Sequence, residues 1–243
     1  MASIGESDLS ALLLESADIR LIEPHIYTVL PDMEVNNPYD TQFGYIYDWV
    51  ACNPIYNRLI WGYSIQIFAV IAREALRSST KGNVLDLGCG SLAFTAKTHM
   101  QYSERPIVLV DQSLKMLSIA KSRLIKLNGK VPDHMVFLHA DALRLPFRGQ
   151  SFTTIISENL LHCLNDTKSL LVGLKNILSE RGRMYFTTLV KANRLADRYL
   201  ETLAKGGKLV FRNMEDHQTI FDHIGMLIRY DIRGNMASIY YDA

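Results

Sequence analysis

The chain has 243 residues, enough to bury one large core, and 48% of them are hydrophobic. A formal net charge of +1 argues against a general nucleic-acid binder, which needs a basic face. The three cysteines, Cys52, Cys89 and Cys163, are scattered and follow no Cys/His metal spacing. They predict neither a disulfide framework nor a metal site.

From the N-terminus, Ser7 to Ser16 reads as a short helix. Acids surround the apolar triplet Leu12–Leu14 and no basic run precedes it, so no secretory signal is expected and the predicted location is cytoplasmic. No apolar stretch is long enough to span a bilayer. Pro24, Pro31 and Pro38 break the next segment into irregular pieces, and residues 43–77 read as mostly helical. Both tryptophans and five of the twelve tyrosines lie between Tyr39 and Tyr63. Such aromatics pack against a sheet, or form a lid that gives a pocket an apolar wall. Residues 1–80 are therefore expected to form a mostly helical extension or lid, and 81–243 a single compact domain.

From Asn83 onward, short β-type runs alternate with helix-length amphipathic segments. Strands are predicted at Asn83–Leu87, Pro106–Asp111, Met135–Ala140, Phe152–Ser157 and Met184–Val190. Helices are predicted from Ser91, as N-cap, to about Met100, from Ser113 to Leu127 before Asn128-Gly129, and from Thr167 to Leu178. Near-continuous apolar strands between helices indicate a parallel sheet covered on both faces, wound as a doubly wound α/β fold. After a helix at about Ala192–Ala204, a loop and another helix, two β-type runs meet at Arg233-Gly234-Asn235. A connection that short makes an antiparallel hairpin, which is placed at the sheet edge.

The first strand runs into Gly88-Cys89-Gly90-Ser91-Leu92-Ala93. This spacing fits the dinucleotide fingerprint G-x-G-x-x-A, and less closely a turn that holds S-adenosylmethionine. Acids at strand ends separate the two. Asp111, about twenty residues after the turn, suits ribose hydroxyls in either case. Asp86 lies two residues before Gly88, where a carboxylate opposes a pyrophosphate but suits an α-ammonium group. Asp141, in "HADALRLPF", suits the exocyclic amine of adenine, or else caps a helix start ahead of Ala142.

The segments "VLDLGCG", "VLVDQS", "HADALRLPF", "SFTTIISENLLHCLND" and "GRMYFTTLV" resemble, in order and spacing, the class I S-adenosylmethionine-dependent methyltransferases. The nearest group is the small-molecule type that includes the ubiquinone and menaquinone biosynthesis enzymes. The likeness covers residues 83–243. It implies a Rossmann-like, mostly parallel seven-stranded sheet with an antiparallel terminal hairpin, and S-adenosyl-L-methionine as cofactor with S-adenosyl-L-homocysteine as product. Carried over by position, Asp86, Gly88, Cys89 and Gly90 hold the methionine part. Asp111 takes the ribose and Gln112 lies against adenine. Asp141 and the Ala142 backbone take the adenine edge, Ser157 offers its carbonyl to the ammonium, and Tyr47 is a lid contact. Two positions depart from the pattern. Leu92 replaces a third glycine, so the turn is expected to differ in detail, and Thr153 replaces an acid.

Methyl transfer from a sulfonium needs alignment and exclusion of water, and some acceptors also need a base. Glu158 and His162, where the fourth strand exits, are the candidate bases; a packed helix histidine is the plain alternative for His162. His217 and His223 do not share a helical face, and His25, His99, His134 and His139 carry no readable pattern. "NPIY" (Asn53–Tyr56) is similar to a motif of amino-methyltransferases acting on nucleic-acid bases, but it precedes the glycine turn here while strands one to five already run in order after it. The expected function is methyl transfer to a small, moderately hydrophobic metabolite, with no nucleic-acid partner. Residues 1–40 either cap the pocket or mediate a homodimer. The competing readings are a nicotinamide-dependent oxidoreductase and a non-catalytic member of the same fold.

Overall fold

Apolar strands that bury both faces need helices above and below them, and the chain supplies both layers. The computed structural model describes residues 2–31, 58, 61–77, 81–192, 194–207 and 209–243. Tyr47, Cys52 and the Asn53–Tyr56 motif lie outside the described residues. The helices are α1 (Glu6–Leu12), α2 (Gln66–Arg77), α3 (Ala96–Met100), α4 (Leu114–Asn128), α5 (Thr167–Ile177), α6 (Ala196–Lys205) and α7 (Met214–His223). The strands are β1 (Arg20–Glu23), β2 (Ile26–Thr28), β3 (Val84–Leu87), β4 (Ile107–Asp111), β5 (Met135–His139), β6 (Phe152–Glu158), β7 (Leu178–Leu189), β8 (Ile228–Arg233) and β9 (Met236–Asp242).

The sheet order is β1-β2-β5-β4-β3-β6-β7-β9-β8. Strands β2 through β7 of this order pair in parallel, and the two outer hairpins pair antiparallel. Alternation along each strand splits the core. Leu85 and Leu87 of β3 face a cluster with α1, α5 and α7, whereas Val84 faces one with α2, α3, α4 and α6. The same split separates Val108 and Val110 from Ile107 and Leu109 on β4.

The sequence reading counts seven strands, and among the described residues the sheet has nine. The two extra come from the N-terminal segment, read as helical and irregular. Pro24 sits in the turn between β1 and β2, and Ile26–Thr28 adds to the edge of β5 with Ile26 opposite Phe137. A proline at a turn does not prevent a short edge strand. The helix expected from Ser91 is also shorter, beginning at Ala96, because Leu92 has φ +53° and cannot continue a right-handed turn. The first helix stops at Leu12 rather than Ser16 and α6 begins at Ala196 rather than Ala192, whereas the ends of α4 and the start of α5 follow the sequence. Ser113 Oγ accepts from Met116 N–H at 3.2 Å, Gly129 closes α4 at φ +79°, and Asp166 caps α5 through Ser169 N–H.

Arg105 fastens the sheet end away from the glycine turn. Only 4% exposed, it donates to the α2 carbonyls of Ala75 and Leu76, to Gly82 O, and to the hydroxyls of Thr153 (3.0 Å) and Thr154 (2.9 Å). Thr153, where the resemblance predicts an acid, thus serves as an uncharged acceptor for a buried guanidinium. Arg105→Met would strand these acceptors without solvent. We expect a loss of about 2–3 kcal/mol in urea unfolding with ligand affinity unchanged, because the contacts lie at the opposite strand ends.

Candidate functional site

Chain order reverses between β3 and β6: the chain leaves β3 toward β4 and β5 on one side, and leaves β6 toward β7 on the other. In an open parallel sheet the crevice at such a point, beyond the carboxyl ends of the strands, is where ligands bind. The glycine turn follows β3 there, and Glu158 ends β6.

The turn is anchored by Val110 O, which accepts from both Gly88 N–H (2.8 Å) and Cys89 N–H (3.0 Å). Gly88 (φ +72°) and Gly90 (φ +53°) have left-handed backbones. A Cβ on Gly88 would press on Leu160 at 3.4 Å, whereas one on Gly90 would meet no protein atom within 4 Å. Gly90 therefore fronts an open cradle. Leu92 keeps the left-handed backbone usual for glycine while its side chain, 1% exposed, enters the core with Leu109 and Ala96. The leucine thus adds backbone strain and a buried anchor to the turn.

The structure places the predicted acids as follows. Asp111 Oδ2 accepts from Gly90 N–H and Oδ1 from Ser113 N–H, both at 2.9 Å, so its carboxylate joins the glycine turn to the start of α4. Asp141 Oδ1 accepts from Leu143 N–H at 2.9 Å and Oδ2 pairs with Arg144 at 3.0 Å, the turn-capping arrangement, with Ala142 following it and Gln112 exposed nearby. Asp86 has a partner that sequence reading missed: its Oδ2 lies 2.8 Å from His99 Nε2, in a pair buried between β3 and α3. His139 is a second such residue. Its Nε2 lies 3.1 Å from Gln112 O and its Nδ1 2.9 Å from Thr28 Oγ1, tying the turn after β4 to β2. Neither histidine follows a spacing rule, so only the fold reveals them.

At the end of β6, three successive side chains carry buried oxygens with no partner: Ser157 Oγ, Glu158 Oε1 and Asn159 Oδ1. Asn159 is held at φ +58° by its N–H, which donates to Thr187 O (2.8 Å) and Thr187 Oγ1 (3.2 Å). Burial, and then the charge of Asp86, push the Glu158 carboxyl well above the usual carboxylate range. Burial and then Asp111 and Asp86 push the Cys89 thiol up, so it is no nucleophile at neutral pH.

His162 lies in a short 3-10 turn, Leu161–Cys163, after this run. Its Nδ1 accepts from Leu189 N–H at 3.2 Å and lies 3.3 Å from Thr188 Oγ1. Burial and the neighbouring His217 lower its pKa to about 4, far from that of an efficient base at neutral pH. His217 is fully buried with neither ring nitrogen partnered, and burial, then Arg212, lower it to about 4. Arg212 donates to Leu161 O, Leu164 O and Asn165 O, and Val210 N–H donates to His162 O, which folds the α6–α7 loop over the turn. A cavity of about 330 Å3 opens there, lined by Cys163, Asn165 and Phe211 among others.

Residues 78–230 match the family described as methyltransferase domain, and the chain belongs to that family. Its fold is that of the class I S-adenosylmethionine-dependent methyltransferases. It is 27% identical over 124 residues to the malonyl-[acyl-carrier protein] O-methyltransferase of Paenibacillus sp. (strain JDR-2), across 49% of this chain and 43% of that one. The match thus spans less than half of that curated relative. Phosphoethanolamine N-methyltransferase 2 of Haemonchus contortus, solved with phosphomonomethylethanolamine and S-adenosylhomocysteine, has a TM-score of 0.63 at 16% identity, over 82% of this chain and 56% of that one. An S-adenosylmethionine-dependent methyltransferase of Mesorhizobium loti has a TM-score of 0.56 at 19% identity, over 72% and 97%. At these identities the structural likeness is one of fold.

Two outcomes test the site's internal energetics. At Leu92 both Ala and Gly lose the buried side chain, but only Gly relieves the positive φ. We expect Leu92→Gly to be more stable than Leu92→Ala by about 1 kcal/mol in urea unfolding, the reverse of their usual order. His162 and His217 have folded pKa values below the unfolded value, so the unfolded chain binds more protons as the medium acidifies. Their contribution is complete above pH 6.5 and lost as pH falls toward 4, at up to about 3 kcal/mol each. His217→Leu, which removes two unpartnered buried nitrogens, should leave stability at pH 7 unchanged or higher and flatten its decline between pH 6.5 and 5.

Proposed function

We propose that the chain is an S-adenosylmethionine-dependent methyltransferase that acts on a small, moderately hydrophobic molecule. The observation that carries the cofactor assignment is the run of three unpartnered buried oxygens, at Ser157, Glu158 and Asn159, beside an open glycine turn. Oxygens able to accept hydrogen bonds suit a ligand end bearing an ammonium. They suit the pyrophosphate of a nicotinamide dinucleotide less well, because the Asp86 charge would oppose it. The residues present therefore fit the cofactor that the family implies.

Gly88 and Gly90 would admit its methionine part, Asp111 its ribose hydroxyls, and Asp141 with the Ala142 N–H its adenine edge. The cofactor, when bound, supplies an electrophilic methyl group. The protein's share of the work is placement. Asp111 fixes the glycine turn against α4, and Val110 O fixes the turn against β4, so the cradle is shaped before a ligand enters. Alignment of two reactants accounts for about 7–11 kcal/mol in favourable cases. With Nδ1 of His162 engaged and its pKa near 4, placement rather than proton removal is the role assigned to this wall.

A small acceptor is supported by the cavity beyond the Leu161–Cys163 turn, whose walls include Leu209, Val210 and Phe211. Trp61 is tied to the tail: Asn235 N–H donates to Trp61 O at 2.9 Å, and the Trp61 ring lies 5.6 Å from that of Tyr199.

Calorimetry with S-adenosylhomocysteine should give micromolar affinity, at least tenfold weaker in Asp111→Ala, with no heat from NAD. Binding of NAD without S-adenosylhomocysteine would overturn the assignment.

A further inference from the structure

We propose that Glu158 is the counter-charge for the ammonium group of the bound cofactor, and that its carboxyl releases a proton to solvent when that group arrives. The inference rests on the cofactor assignment above and reassigns Glu158 from candidate base to ligand partner.

Four observations point the same way. Glu158 ends β6 at the crevice, next to the glycine turn that follows β3. Its Oε1 is buried without a hydrogen bond. Its neighbours Ser157 and Asn159 present further unpartnered buried oxygens: an amide oxygen that only accepts, and a hydroxyl that can accept. Asn159 is locked by its two bonds to Thr187, which fixes the direction of the chain immediately after Glu158. An ammonium brings three N–H donors and a positive charge to such a place.

The surroundings explain why Glu158 holds a proton until a cation arrives. From β3 comes Asp86, a like charge whose own partner is His99 of α3. From β7, Thr187 lies opposite Glu158 in the sheet, and its hydroxyl accepts from Asn159 N–H. Among the described residues no Lys or Arg acts on Glu158. Burial and Asp86 thus favour the neutral acid. A cation at the same place reverses the balance. The O–H bond of Glu158 breaks, its proton passes to solvent, and the carboxylate pairs with an ammonium that keeps all three of its own protons.

The test is calorimetric titration of the full chain with S-adenosylhomocysteine at pH 7 in phosphate, HEPES and Tris. The dependence of the observed heat on buffer ionisation enthalpy gives the protons released. We expect close to one proton for the wild type and close to none for Glu158→Gln, which should still bind. Wild-type affinity should rise by up to about tenfold per pH unit between pH 6 and 7. As a control that needs no variant, 5′-methylthioadenosine, which lacks the amino-acid end, should bind the wild type with no proton release. S-adenosylhomocysteine binding without release, or release that persists in Glu158→Gln or with 5′-methylthioadenosine, overturns the proposal. Failure of the wild type to bind S-adenosylhomocysteine in any buffer is a different result, and it overturns the cofactor assignment and this proposal together.

Discussion

Two parallel neighbours, β3 and β6, send the chain away in opposite directions. Everything in the candidate site depends on the gap this leaves beyond their ends. Strand β3 delivers the glycine turn to one side of it. Strand β6 delivers Ser157, Glu158 and Asn159 to the other. Strand β4 ends one place further out, which brings Asp111 within reach of Gly90 N–H. Buried backbone polar groups need partners, so the turn is pinned by Val110 O and Asp111 rather than left to a ligand to organise.

The polar pairs around the gap divide into two kinds. Behind it, away from solvent, donors and acceptors are matched: Asp86 with His99, His139 with Thr28 and Gln112, Arg105 with five acceptors. These fix the relative positions of strands and helices. At the rim the account is unbalanced toward acceptors, at the three residues that end β6. Three such oxygens on successive residues at the mouth of the sheet form a cluster, whereas most buried polar groups elsewhere are satisfied by side chains brought from distant segments. Away from the rim, Asn235 Oδ1 and the two ring nitrogens of His217 are also buried without partners, and no structural rationale for them is found.

Much of this was legible in the sequence. The apolar strands, the Asn128-Gly129 stop and the short Gly234-Asn235 connection each act through local physics, and each stands where it was expected. The acids at strand ends were legible for the same reason: strand length fixes where a strand stops. The N-terminal hairpin was not, because Ile26–Thr28 is too short to show alternation and becomes a strand only through the free edge of β5. His99 was hidden because its partner lies thirteen residues away across a turn and a helix start. At Leu92 the sequence showed the departure but not its consequence: the backbone is left-handed and the side chain is buried in the core.

That leucine bears on how the turn meets a ligand. A glycine at this position would be free to wander between left- and right-handed backbones, and a ligand would have to freeze it. Leu92 is held by a packed side chain, so its wandering ends when the chain folds. The disorder is removed in advance, at some expense of folding stability. A rigid turn of this kind favours fast, shape-selective capture over adaptable grip, and it leaves less room for nucleosides that differ at the sulfur end.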